Sequence, residues 1–334
     1  MRRALILVFA TTLSAAQTAA PSPDAARRSG YENSARATLI HTADVYVSPD
    51  ETSQRIATVL PGHEVVILEK SGPWARVYAN TDTEPSAEDV PLMQQDQPAT
   101  VTSGWIHAHG IVDAHTTGGD AILYGTAATL EQQAAAPHPP TYAADSAHRL
   151  YRRIPDYFPA SPLAAESAWR AADIRWQLEK ADISTLPSAS ERESFLRPQL
   201  YEADLKSILK KYPQSQWAAL AAFDLIDNQL CGDWQGLAEC PEKESSYYEH
   251  YADQYPDGPR TAQALYAAAW RQGSLVDIYA AAGNTKRAAA AADNTRKLAG
   301  YIVKGFPASD YAARAAALVY HLDQQIPIYG SDRD

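Results

Sequence analysis

One phrase recurs four times and constrains the fold more than any other feature of the chain. "DYFPASPLAAESAW" (156–169), "KKYPQSQWAALAAF" (210–223), "DQYPDGPRTAQALY" (253–266) and "KGFPASDYAARAAAL" (304–318) align on Pro159, Pro213, Pro256 and Pro307. An aromatic precedes each proline: Phe158, Tyr212, Tyr255 and Phe306. Two residues after it stand Ser161, Ser215, Gly258 and Ser309, and six after it Ala165, Ala219, Ala262 and Ala313. Five before it stand Ile154, Ile208, Tyr251 and Ile302. Proline cannot continue a helix, so each one ends the helix before it. The Ser or Gly suits the N-cap of the next helix, and Pro162 and Pro259 then fall at its first position, where a missing N–H costs nothing. The alanines let helices approach closely. Trp169, Phe223 and Tyr266, ten residues after the proline in three of the copies, fill the groove beside them; Ala317 breaks that column in the last copy. One such unit cannot bury its apolar face alone, so the pattern predicts stacked helical units over residues 141–325.

The preceding segment has a different period. "ADVYV" (43–47), "RIATVL" (55–60), "HEVVILEK" (63–70), "WARVYAN" (74–80) and "SGWIHAHGIV" (103–112) read as five short strands with turns such as Pro61-Gly62 between them. In "WARVYAN" the residues Trp74, Arg76 and Tyr78 alternate with Ala75, Val77 and Ala79, the period-2 pattern of a half-buried strand. The order "ADVYVSP", "IATVLPGHEVVILEKSGPWARVYA" and "GWIHAHGIV" resembles a bacterial SH3-like domain over about 75 residues. Tyr46 replaces the arginine usual in that family's first phrase, and residues 81–102 form a long acidic insertion before the last strand. The later half resembles the tetratricopeptide-like repeats of bacterial envelope proteins. Its proline spacings of 54, 43 and 51 exceed the family's usual 34, and the W-x2-L-G-x2-Y phrase is missing. The extra length sits in residues 181–198 and in the loop around the cysteines, which predicts an irregular array of about eight helices.

The expected fold class is therefore α+β multidomain, a small all-β SH3-like barrel over residues 38–113 followed by an all-α tetratricopeptide-like array. Residues 114–140 read as a linker helix stopped by "PHPP", and 326–334 as a fraying tail. The N-terminus has the charged, apolar and small-residue order of a signal peptide over 1–16, cleaved near Ala16, and 17–37 reads as a disordered leader. No later segment is apolar enough to span a bilayer, so a periplasmic or secreted protein is expected. In such a compartment Cys231 and Cys240 are expected to pair as a disulfide, their spacing fitting neither a C-x-x-C redox pair nor a four-ligand zinc site.

The net charge of −11, from 29 basic and 40 acidic residues, argues against nucleic acid and against a surface held on anionic lipid. Motifs for a serine hydrolase elbow, a zinc-protease helix, a P-loop or a dinucleotide fold are missing, so no cofactor and no enzymatic activity are expected. The candidate sites are few. The SH3-like resemblance places Tyr46, Trp74, Tyr78 and Trp105 in segments that form a peptide groove in that fold, and implies that Trp105 is the one more suited to the core. His107 and His109, with His115, are a metal candidate. "SSYYEHYADQY" puts Tyr248, Tyr251 and Tyr255 at helical spacing, which reads as packing. The expected function is an exported, non-enzymatic binding or scaffold protein of the bacterial cell envelope. Its array docks a protein partner and its barrel binds a peptide or peptidoglycan. Two other readings are peptidoglycan targeting as the main role, and a metal-dependent enzyme using the barrel histidines.

Overall fold

Alternation of small apolar and larger polar residues builds the first half. The computed structural model describes residues 35–82 and 101–330; the expected signal peptide, most of the expected leader, and residues 83–100 of the acidic insertion lie outside them. Seven strands are described: β1 (Ala35–Leu39), β2 (Ala43–Tyr46), β3 (Arg55–Val59), β4 (Glu64–Ser71), β5 (Trp74–Ala79), β6 (Thr102–His107) and β7 (Ile111–Asp113). They form one antiparallel sheet in the order β3-β2-β6-β5-β4-β1-β7, with β3 and β7 as its edges, so the sheet is open. Its core is the inward set Ala37, Leu39, Val45, Val65, Ala75, Val77, Ala79 and Ile106, all fully buried.

Three expectations need correcting. Ala35, Arg36 and Ala37 belong to β1 and not to a leader: Ala37 pairs with Val65 on one side and Asp113 on the other, and Arg36 bonds Glu64 at 2.8 Å. The sequence "ARATL" carries too little hydrophobicity to announce a strand that neighbours on both sides hold in place. "SGWIHAHGIV" is two strands, because Gly110 takes φ 71° and turns the chain so that β7 pairs with β1. The boundaries of the insertion shift likewise. Thr81 and Asp82 continue the fold after β5, and Thr102 is already in β6.

Nine helices follow among the described residues. Helix α1 (Gly119–Ala134) lies within the expected linker. Then come α2 (Ala143–Tyr157), α3 (Ala164–Ser184), α4 (Ala203–Lys211), α5 (Gln216–Asp224), α6 (Glu239–Gln254), α7 (Thr261–Ala281), α8 (Thr285–Gly305) and α9 (Asp310–Asp323). The four phrases are the corners of the hairpins α2–α3, α4–α5, α6–α7 and α8–α9, and all four corners have one geometry. Phe158, Tyr212, Tyr255 and Phe306 cap their helices with φ between −127° and −132°. The N–H of each donates to the carbonyl of the buried residue four back: Ile154, Ile208, Tyr251 or Ile302. The carbonyl of each then accepts from Ser161, Ser215, Gly258 or Ser309 at 2.9–3.0 Å. The proline between lacks the N–H that would prolong the helix, which is why the chain turns there every time.

The cap columns hold in part. Ser215 and Ser309 accept from the N–H groups of Ala218 and Tyr311. Ser161 accepts from Leu163, ahead of the first helical residue, so Pro162 and Pro259 precede their helices by two residues instead of opening them. Of the alanines six after the proline only Ala219 is buried: Ala313 is exposed and Ala165 and Ala262 are half-buried. The fully buried small residues stand two further on, Ser167, Ala221, Ala264 and Ala315, each 0% exposed. There a larger side chain would hold neighbouring helices apart.

Successive hairpins share cores. Ala172 and Trp176 of α3 pack with Leu205 and Ile208 of α4 and Ala221 of α5. Tyr248 and Tyr251 of α6 pack with Ala264 and Ala268 of α7 and with Ile226. Leu265 of α7 packs with Ala299 and Ile302 of α8 and Ala315 of α9. The inserted length lies in the cysteine loop, as expected, and in residues 185–202 with two short 3-10 turns, shifted from the expected 181–198 because α3 runs on to Ser184. The tail does not fray over 326–330. Ile328 is buried, the N–H groups of Ile328 and Tyr329 donate to Asp277 Oδ2 at 2.7 and 2.9 Å, and Gly273 leaves the space that Ile328 fills. The apolar run Ile326-Pro327-Ile328-Tyr329 is what docks.

The sheet is joined to the helices through α2. Gly62, at φ 86°, lies so close to that helix that a Cβ there would come within 2.7 Å of the Arg149 Cβ. Half-buried Asp82 accepts from Arg153, from Arg149 at 3.4 Å and from the Glu64 N–H at 3.0 Å. The arginines bond Oδ2, and His63 Nδ1 lies 3.4 Å from Oδ1, the oxygen that accepts from Glu64. Burial alone would raise the Asp82 pKa, but His63, Arg153 and Arg149 together hold it far below the usual carboxylate range.

Candidate functional site

Because side chains alternate along a strand, inward Ala75, Val77 and Ile106 force their neighbours outward. Register sets Trp74 opposite His107, Arg76 opposite Trp105, Tyr78 opposite Ser103, and Tyr46 opposite Trp105. Tyr46, Trp74, Tyr78 and Trp105 thus share the outer face of β2, β6 and β5. Trp105, expected nearer the core, is half-buried on this face, since Ile106 takes the inward position. Trp74 is the more buried of the two at 8% exposed. It meets Tyr46 edge-on at 5.7 Å and stacks on His107 at 4.1 Å between ring centres. Gly104 makes the arrangement possible, because a Cβ there would come within 2.5 Å of Val45 and keep β2 from crossing β6. Arg76 is exposed on the same face, and Glu51 reaches His107 Nε2 at 3.0 Å. The face offers flat apolar rings with a charged rim, a surface suited to an extended ligand.

The histidines are arranged otherwise than the sequence suggested. The ring beside His109 is His41, stacked at 4.9 Å, with His107 at 5.4 Å; His115 instead sits in the turn after β7, its N–H bonding Asp113. Their nitrogens have other partners: His41 contacts the carbonyls of Thr42 and His109, and His107 Nε2 contacts Glu51. Among the described residues no group of three or more His, Cys, Asp or Glu is placed to hold a metal ion.

The helical array holds polar groups that sequence reasoning passed over. Trp169, of α3, donates from Nε1 to Asp224 Oδ2, of α5, at 3.4 Å. Burial first, and then the charge of Asp173, push the Asp224 carboxyl up to about 7; Arg260 acts against them. Asp173 is raised as well, chiefly by burial. The signal was available, since Asp224 directly follows the aromatic ten residues after Pro213, but nothing in the sequence showed that it would be enclosed. Further along, Cys231 and Cys240 form the disulfide. Inside the loop they close, Trp234 packs on Trp270 and Tyr329. Glu244, 1% exposed, accepts from the Cys231 N–H, from Trp234 Nε1 and from Arg271 Nε. The tyrosines of α6 are packing groups, as their spacing implied: Tyr248 and Tyr251 lie against Phe223.

Compared with known proteins, the chain matches no family model and no curated protein.

Proposed function

We propose that the chain is an exported, non-enzymatic binding and scaffold protein of the bacterial cell envelope. In this reading the stacked hairpins dock a protein partner, in the manner of tetratricopeptide-like arrays. The open sheet acts as an SH3-like module whose outer aromatic face takes a peptide or peptidoglycan. The observation that carries the reading is the identity of the four corners: repeated hairpins stacked in sequence present an extended surface, the property that repeat arrays use for docking. The disulfide and the want of any helix among the described residues long and apolar enough to cross a membrane are compatible with a periplasmic or secreted protein.

The test is cross-linking in cells with photoreactive side chains placed along 141–325. One partner captured reproducibly at adjacent positions, and lost when those positions are changed, supports the scaffold. A second reading, in which cell-wall targeting is the main role, is favoured by the four aromatics on one face. It requires the purified protein to pellet with peptidoglycan and to be released by Tyr46→Ala or Trp105→Ala. Neither capture through the array nor pelleting through the sheet would refute both.

A further inference from the structure

The first and second hairpins do not close completely. Between α2, α3 and α4 remains a cavity of about 260 Å³, walled by His148, Asp204 and Tyr212, with Arg152, Asp156 and Lys211 among its other lining residues. His148 is 5% exposed, and its Nδ1 lies 2.8 Å from the Ala171 carbonyl. A carbonyl only accepts, so Nδ1 carries the proton. Burial lowers the pKa of this ring, which keeps it neutral and leaves Nε2 as a lone pair. Asp204 supplies a second acceptor. Its Oδ2 is buried with no hydrogen-bond partner, the nearest cation being Arg175 Nη1 at 3.6 Å. Two acceptors at one wall of the cavity suit a ligand that donates, and an ammonium group does so. A bare cation would meet the positive charge of Lys211 and Arg152, and a bare anion the charge of Asp156 and Asp204. A molecule with both charges answers both. Its size is limited, for the cavity falls below the ~300–1,000 Å³ of pockets that hold drug-sized ligands.

We propose that this cavity binds an α-amino-acid head group, with its ammonium against His148 and Asp204 and its carboxylate toward Lys211 and Arg152. Such a head group occurs as a free amino acid or as the side-chain end of a diamino acid within a peptide. The proposal does not depend on the aromatic face of the sheet or on a protein partner. The test uses the full-length exported protein, with alanine as the free probe and a tripeptide ending in diaminopimelate as the peptide-borne one. Thermal shift and titration calorimetry read the binding. Saturable binding of either probe is expected, and N-acetylalanine and alaninamide, each lacking one charge, should bind at least about tenfold more weakly. Asp204→Asn and Lys211→Ala should weaken the bound probe by a similar factor while melting as the parent protein does without ligand. Lys211 is exposed, so its replacement reports on binding even if Asp204→Asn alters folding. No saturable signal from either probe up to about 10 mM would overturn the proposal, as would equal binding of N-acetylalanine or undiminished binding by the Lys211 variant.

Discussion

Asp224→Asn is the sharpest test of how the hairpins are joined. The carboxyl accepts from Trp169 across the seam between the first two hairpins, and burial with Asp173 beside it lifts its pKa from 3.8 to about 7. Each pKa unit is about 1.4 kcal/mol, so ionising this group in the folded protein costs up to about 4 kcal/mol relative to the unfolded chain. The sign follows from proton affinity. The folded state holds the proton more tightly, so the contribution to stability is complete below about pH 4 and is lost as the pH rises through about 7. Solvent screening of the accessible part of the side chain reduces the effect, and we expect roughly 2 kcal/mol. Asparagine keeps an oxygen for Trp169 and carries no charge. It should therefore leave stability near that of the parent at about pH 3.5 and raise it by roughly 2 kcal/mol at pH 8.5. The assay is urea unfolding followed by circular dichroism between these pH values, comparing midpoints at equal slope. Titration of groups remote from Asp224 is common to both proteins and cancels in the difference, whereas that of Asp173 and Asp227 shifts with it. A variant no more stable than the parent at pH 8.5, or a difference that does not grow with pH, would refute the reasoning.

Asp82→Asn removes the anion that Arg149, Arg153 and His63 surround, and should destabilise the joint between sheet and helices by about 3 kcal/mol at pH 7 in urea melts. Because the Asp82 pKa is depressed, the parent's advantage should be full above about pH 4 and disappear as acid protonates the folded carboxylate. Ala264→Leu, at a fully buried position of the small-residue column, should cost about 1–3 kcal/mol by overpacking, whereas Ala313→Leu, exposed at the column six after the proline, should change the melting midpoint little. Replacing Cys231 and Cys240 with serine opens the loop that holds Trp234, and should lower stability by about 2–3 kcal/mol in non-reducing thermal unfolding.

Local features were legible in the sequence. Every corner proline ends a helix where it was placed, because a missing N–H acts on its own residue and needs no partner. The alternation in β5 was read correctly because side-chain direction in a strand depends only on position along the chain. Features that depend on neighbours were not legible. β1 is a strand because β4 and β7 lie on either side of it. Trp105 faces outward because Ile106 takes the inward site. The packing column lies eight residues after each proline because that is where the facing helix arrives.

The chain by itself determined its punctuation: where helices stop, which residues alternate, which cysteines stand close enough to bond, and that the units recur. Such properties are set by backbone geometry and near neighbours, within a few residues. Tertiary structure alone decided which carboxylates are enclosed, which histidines stack, and that a cavity stays open between the first two hairpins. Burial and electrostatic environment arise from groups far apart in sequence, as with His148 and Asp204 or Trp169 and Asp224, and come into being only when the helices pack.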